Sequence, residues 1–290
     1  MPVKGFTLDN GEEEYIMSKK IVSVQDISCY GQCSLTVAQP VLSAYGIETA
    51  ILPSAILSTH TGGFTGFTVH DLTEEMPKII KHWEDEKIKF DAIYTGYIGD
   101  IRQFDMVKDM KKTLLNEGGQ LIVDPAMADY GKLYVALNED IVKGMRSITR
   151  EADIVLPNLT EAAFLLDIPY NENPNEEEVK DILKGLTDMG PEIAILTGVS
   201  YEAGKIGAVA YNKTTGETTS YFATKIERNY HGTGDIFSSV IIANLMNGKS
   251  LQDALEDACE FIVKCIRQTL DDDTHGYGVK FEEVLAARAK

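Results

Sequence analysis

The stretch Tyr230-His231-Gly232-Thr233-Gly234-Asp235-Ile236-Phe237-Ser238-Ser239 decides how the rest of the chain is read. Apolar residues follow at helical spacing, through Val240, Ile241, Ala243 and Leu245, until Gly248. The pattern predicts a glycine-rich turn that runs straight into a buried helix. Such a turn lets backbone N–H groups converge on one spot, and the helix start adds partial positive charge there, which suits an anion. Asp235 is nevertheless set into the first turn. A carboxylate beside an anion hole can take a proton from a hydroxyl that attacks a phosphoryl group. A plain helix start capped by Thr233 or Asp235 fits the same residues, so the surrounding sequence has to separate the two readings.

Working outward, the runs 206–211 and 217–223 alternate apolar with polar residues and are joined by 212–216, which predicts a hairpin at a sheet edge. Further back, short apolar runs at 21–24, 47–52, 92–95, 121–123, 153–156 and 193–196 alternate with helical patterns at 34–45, 73–83, 101–115, 139–148 and 176–189. Strand–helix–strand alternation builds a parallel sheet with right-handed crossovers. A short helix capped by Thr160 is expected after Pro157, and helices over 251–270 and at the end of the chain follow the glycine turn. Residues 53–71, rich in Thr, Ser and Gly, are expected to form a long functional loop with no inserted strand. Asp271-Asp272-Asp273 reads as a solvated loop. The expectation is one α/β domain over 19–290, a three-layer sandwich with a mostly parallel sheet, helices on both faces and antiparallel edge strands. Residues 1–18 are polar and end near Met17, which looks like a natural start, so they are read as an extension or leader.

A chain of 290 residues with 44% hydrophobic content can bury a large core. Its formal net charge of −18 argues against nucleic acid and anionic membranes as partners. A polyanionic substrate would have to be met locally, by helix starts, a metal ion or a few lysines. No apolar run is long enough to cross a bilayer. Cys29, Cys33, Cys259 and Cys265 have no zinc spacing, and without a secretory signal they read as reduced cytoplasmic thiols. Cys259 and Cys265 suit a helix core.

Several polar groups fall at the carboxyl ends of the expected strands: Asp26, Gly96-Tyr97, Asp124 to Asp129, Asn158 to Glu161, Thr197, and the turn before Asp235. In a parallel sheet those ends converge on one crevice. Asp124, Asp129, Asn158 and Glu161 are oxygen donors suited to Mg²⁺, which would also offset the acidic field. Taken one at a time, each could be a turn or cap residue. Together they favour a site.

In the order Val24-Gln25 with Gly31, Ser58-Thr59-His60-Thr61-Gly62, Thr95-Gly96-Tyr97, Asp124-Pro125-Ala126-Met127-Ala128-Asp129, Pro157-Asn158-Leu159-Thr160-Glu161 and Gly232-Thr233-Gly234-Asp235, the chain resembles the ribokinase-like superfamily, and within it the pyridoxal/pyridoxine/pyridoxamine kinases. The resemblance implies ATP-dependent phosphorylation of the 5′-hydroxymethyl group of a vitamin B6 vitamer. It implies Asp235 as base, the amides of Gly232, Thr233 and Gly234 around the migrating phosphoryl group, and Asn158 and Glu161 placing Mg²⁺. Asp124 and Asp129 would lie near the phosphates, with Asp124 also toward the metal. Thr197 would touch the nucleotide, while Asp26, Thr61 and Tyr97 would face the pyridine ring with Cys33 packing beside it. A homodimer is implied as well, and a monovalent cation is left open. The chain departs from the family pattern in Ala126 and Ala128, where Val and Gly are usual, and in Asp26, where Ser is usual. A carboxylate there would favour a protonated ring. Two other readings stand beside this one: a hydroxymethylpyrimidine kinase, many of which carry Cys where this chain has Asp235, and a non-catalytic sensor on the same scaffold, which would not need the base.

Overall fold

The protein is described here by a computed structural model covering residues 18–135 and 137–288. Of the expected leader 1–18, all but Ser18 lies outside the described residues. The chain begins β1 (Lys20–Ser28), α1 (Leu35–Ala44), β2 (Glu48–Leu57), β3 (Val69–Asp71), α2 (Met76–Asp85), β4 (Phe90–Thr95), α3 (Ile101–Thr113) and β5 (Leu115–Val123). A small hairpin of β6 (Ala128–Asp129) and β7 (Lys132–Leu133) follows, then α4 (Glu139–Thr149), β8 (Ile154–Val155), α5 (Leu159–Leu166), α6 (Glu176–Met189) and β9 (Ile193–Val199). The last part holds β10 (Lys205–Asn212), β11 (Glu217–Thr224), α7 (Thr233–Met246), α8 (Leu251–Thr269) and α9 (Phe281–Arg288).

Nine strands form one sheet in the order β11-β10-β9-β8-β5-β4-β1-β2-β3. The pairs from β2 through β1, β4, β5 and β8 to β9 are all parallel. At one edge β10 and β11 run antiparallel, and at the other β3 pairs antiparallel with β2. The inner strands are buried on both faces, as parallel strands covered by helices must be. Alternate residues therefore serve two cores. Val22, Val24, Ile93, Leu121 and Val123 pack under α2 to α6, while Ile21, Ala92, Tyr94 and Ile122 pack under α1, α7, α8 and α9. The result is a three-layer sandwich.

Several expectations are corrected. Strands β1 and β2 are longer than their apolar runs, because polar residues such as Gln25 and Ser54 are drawn into the ladder and buried, while β5 is extended by the exposed and half-buried residues 115–120. The segment 53–71 is not all loop. Leu57, Ile56 and Ala55 pair with Val69, His70 and Asp71, so a three-residue strand is inserted there. Thr73 does not open α2, which starts at Met76 after a turn; the Thr73 hydroxyl instead accepts from the buried Gln103 amide at 2.8 Å. Thr160 does not cap α5. Asn158 does, in a reciprocal pair with Glu161. Cys259 and Cys265 are buried on α8, and Asp272 and Asp273 hold Lys280 and Arg228 at 2.9 and 3.0 Å.

One packing contact is suited to a stability test. Phe104 on α3 is 1% exposed, and a Cβ built on Gly144 of α4 would come within 2.3 Å of its ring. The ring thus fills a notch that glycine leaves open. Phe104→Ala should lower the unfolding free energy by about 3–5 kcal/mol in chemical denaturation.

Candidate functional site

All six parallel strands point the same way, so their carboxyl ends share one edge of the sheet. A cavity of about 620 Å³ opens there. The β1 tip brings Asp26, the β4 tip Tyr97, the β5 tip Asp124 and the β9 end Thr197 to its wall. Asn158 and Glu161 enter from the start of α5, Asp129 from the small hairpin, Thr61 from the loop before β3, and Cys33 from the loop before α1. Gly232, Thr233, Gly234 and Asp235 complete the wall from the start of α7.

The glycine turn is built by close approach. Gly232 has φ 76°, and a Cβ on it would lie 1.7 Å from the Gln32 carbonyl oxygen. Only glycine fits there. Gly232 is also the N-cap of α7, and no side chain caps that helix. The Thr233 hydroxyl donates instead to the Tyr230 carbonyl at 3.3 Å. The first amides of α7 are thus left without a capping side chain, next to the cavity, which is the condition for holding an anion.

Asp235 stands in this first turn. Burial pushes its carboxyl up to about 7, the charges of Asp124 and Asp26 add to that, and the Ser34 amide works against it. Asp124 is pushed up to about 6, chiefly by burial, and accepts a 2.6 Å hydrogen bond from the Ser238 hydroxyl one turn along α7. Glu161 is raised by burial and by the Asp124 charge. Both of its carboxylate oxygens accept backbone amides, Oε2 from Asn158 at 2.9 Å and Oε1 from Met127 at 3.1 Å. Asn158 is equally occupied: its Oδ1 accepts from the Glu161 amide at 2.9 Å and its Nδ2 donates to the Ala128 carbonyl at 2.9 Å. Among the described residues no group of three or more His, Cys, Asp or Glu side chains is arranged to hold a metal. The donors that remain are one carboxylate edge of Asp124 and spare lone pairs of Glu161. They fit an ion that keeps most of its waters and binds mainly to phosphate, as Mg²⁺ does.

At the other end, Asp26 is 4% exposed, accepts from the Ser28 hydroxyl at 2.9 Å and is raised by burial. Tyr97 is pushed up to about 12 by burial and by the charges of Asp26 and Asp71. Burial, with Asp235 and Asp26 adding to it, pushes the Cys33 thiol up, so it is no thiolate nucleophile. The opposite wall is apolar, formed by Ile206 and Ala223 of the hairpin and Ile262, Val263 and Ile266 of α8.

Sequence reasoning passed over several wall residues. His60 and His231 stand ring to ring at 5.2 Å, and Cβ atoms on Gly31 and Gly62 would come within 2.0 and 2.3 Å of those rings. Lys225 and Arg228 are basic residues on the wall. Ser238 lies three residues after Asp235, hence on the same helix face, and that spacing could have found it.

The fold and the cavity define a ribokinase-like phosphotransferase. The family described as phosphomethylpyrimidine kinase matches residues 41–280. A Bacteroides thetaiotaomicron protein named as a phosphomethylpyrimidine kinase, solved in a crystal form with pyridoxal, is 40% identical with a TM-score of 0.90, over 94% of this chain and 96% of that one. The pyridoxal kinase of Lactobacillus plantarum is 30% identical with a TM-score of 0.85, over 93% and 96%. The pyridoxal kinase PdxY of Pasteurella multocida is 25% identical across 93% of this chain and 94% of its own. The chain therefore belongs to the phosphomethylpyrimidine kinase family, on its pyridoxal kinase side.

The raised carboxyl of Asp235 has a signed consequence for stability. Its folded value lies above the ordinary 3.8, so the stability it lends is complete below that value and is lost as pH rises through about 7. Asp235→Asn, which never charges, should melt at a higher temperature than the parent protein. The gap should widen from acid toward neutral pH and level off above it, as read by thermal unfolding across a pH series.

Proposed function

We propose that the protein transfers the γ-phosphoryl group of ATP to the 5′-hydroxymethyl oxygen of a vitamin B6 vitamer, a salvage route to pyridoxal 5′-phosphate. The observation that carries this reading is the start of α7: uncapped amides and the Asp235 carboxylate on one turn, facing one cavity. Asp235 takes the hydroxyl proton as the substrate oxygen attacks Pγ. The new O–P bond forms while the bond from Pγ to the ADP oxygen breaks, and the proton remains on Asp235. The amides around Gly232, Thr233 and Gly234 hold the charge on the equatorial oxygens. The base is already poised near neutrality by its surroundings, which is where a general base works best.

The apolar wall of Ile206, Ala223, Ile262 and Val263 suits a nucleobase, with Thr197 at its edge and Asp124 and Asp129 toward the phosphates. Mg²⁺ would be held by Asp124 and, through water, by Glu161, with Asn158 keeping the Glu161 carboxylate in place rather than meeting the ion itself. When bound it neutralises phosphate charge that this acidic cavity otherwise repels. A monovalent cation beside it would serve the same end. Asp26, Thr61 and Tyr97 would hold the ring, with Cys33 packed against it. The Asp26 carboxylate favours a ring whose nitrogen carries a proton. We place the activity in one kinase domain over 19–290, in the cytoplasm, acting as a homodimer; no described helix is long and apolar enough to cross a membrane.

ADP release with pyridoxal, pyridoxine, pyridoxamine and hydroxymethylpyrimidine tests the reading. Turnover should be found with the B6 vitamers, and Asp235→Asn should lower kcat by about 10²–10⁴-fold. Turnover with hydroxymethylpyrimidine alone would assign the other kinase activity, and no turnover with any of them would assign a sensor. Asp26→Ser should alter the relative kcat/KM values of the three vitamers and their pH dependence; unaltered ratios would remove Asp26 from ring recognition.

A further inference from the structure

Gln32 lies in the loop between β1 and α1, beside the wall residue Cys33, and does not itself line the cavity. Three of its polar groups are held by one segment near the other end of the chain. Its backbone amide donates to the Tyr277 carbonyl at 3.0 Å. Its Nε2 donates to Glu282 Oε1 at 2.7 Å, and its Oε1 meets His275 Nε2 at 3.0 Å. An ionised carboxylate only accepts, so the NH₂ end of the amide faces Glu282. The carbonyl end then faces His275, whose Nε2 carries the proton and donates. Glutamine suits this place because it offers one donor end and one acceptor end. The Tyr277 ring adds to the seat, 4.2 Å from the His275 ring and 4.8 Å from that of Tyr30.

The fourth polar group, the Gln32 carbonyl, meets a different part of the chain. A Cβ on Gly232 would lie 1.7 Å from its oxygen, and a Cβ on Gly278 would lie 2.5 Å from the Gln32 Cβ. Gln32 is thus wedged between two glycines, one in the segment 275–282 and one at the N-cap of α7. The segment is well rooted: Val279 and Phe281 are buried, the Lys280 amide donates to the Thr269 hydroxyl at 2.9 Å, and Lys280 Nζ pairs with Asp272 at 2.9 Å. The glycine turn is capped by no side chain, and what it presses on is the Gln32 carbonyl.

We propose that Gln32 is a positioning residue that ties the segment 275–282 to the glycine turn, so that the amides around the migrating phosphoryl group are set from the far end of the chain. This rests on the kinase reading above. Gln32 touches neither substrate. It holds the backbone against which Gly232 is seated, and the amides of Gly232, Thr233 and Gly234 take their direction from that seat. Small errors in such a turn weaken the contacts made to the phosphoryl group in transfer more than those made to bound ADP or vitamer.

Steady-state kinetics with pyridoxal and ATP, and binding of ADP with and without aluminium fluoride, test this. Gln32→Ala removes both side-chain bonds; it should lower kcat about tenfold with KM for pyridoxal and ATP little changed. ADP alone should bind as in the parent protein, while ADP with aluminium fluoride and pyridoxal, which mimics the phosphoryl group in flight, should bind about tenfold more weakly. Glu282→Ala should lower kcat in the same direction, Glu282→Gln, which keeps an acceptor for Gln32, should restore it, and Glu282→Ala on top of Gln32→Ala should cost nothing further. Parental kcat in Gln32→Ala would overturn the proposal. So would equal weakening of ADP with and without aluminium fluoride, or a Glu282→Gln protein as slow as Glu282→Ala. A parent protein that turns over no vitamer would instead refute the kinase reading itself.

Discussion

Four buried or half-buried carboxylates, Asp26, Asp124, Glu161 and Asp235, share one cavity, and their mutual repulsion is the constraint around which the rest is arranged. Burying like charges is tolerated only where donors meet them or where they remain protonated. The protein uses both devices. Ser28 serves Asp26, Ser238 serves Asp124, and two backbone amides serve Glu161. What these donors leave uncompensated appears as raised carboxyl values. Under the proposed reading, a polyphosphate would enter this surplus of negative charge together with a cation that offsets it.

The same crowding explains the glycines. Gly232 lets the turn press on the Gln32 carbonyl, and Gly31 and Gly62 admit the rings of His60 and His231. These are positions where backbone must reach places a side chain would block.

Much of this was legible in the sequence. The alternation of apolar runs and helical patterns gave the layers, because parallel strands buried on both faces read as continuous apolar runs. The polar residues just beyond those runs marked the edge where the cavity lies, from Asp26 to Asp235. What stayed hidden was set by tertiary contact. One miss was local: Asn158, rather than Thr160, takes the cap because Glu161 reaches back to the Asn158 amide, and that Asn-to-Glu spacing of three was legible in the sequence. The strand Val69–Asp71 is too short and too exposed to carry a pattern; its partner in β2 makes it.

The strand order also bears on how the molecule comes into being. The first strand lies between β2 and β4, and the glycine turn that closes the cavity arrives some two hundred residues after it. Contacts so distant along the chain form late and slowly. On the ribosome, the part of the cavity lined by Asp26 and Tyr97 is made long before the helix that carries Asp235. No nascent fragment holds both, and the site comes into existence only as the last third of the polypeptide docks.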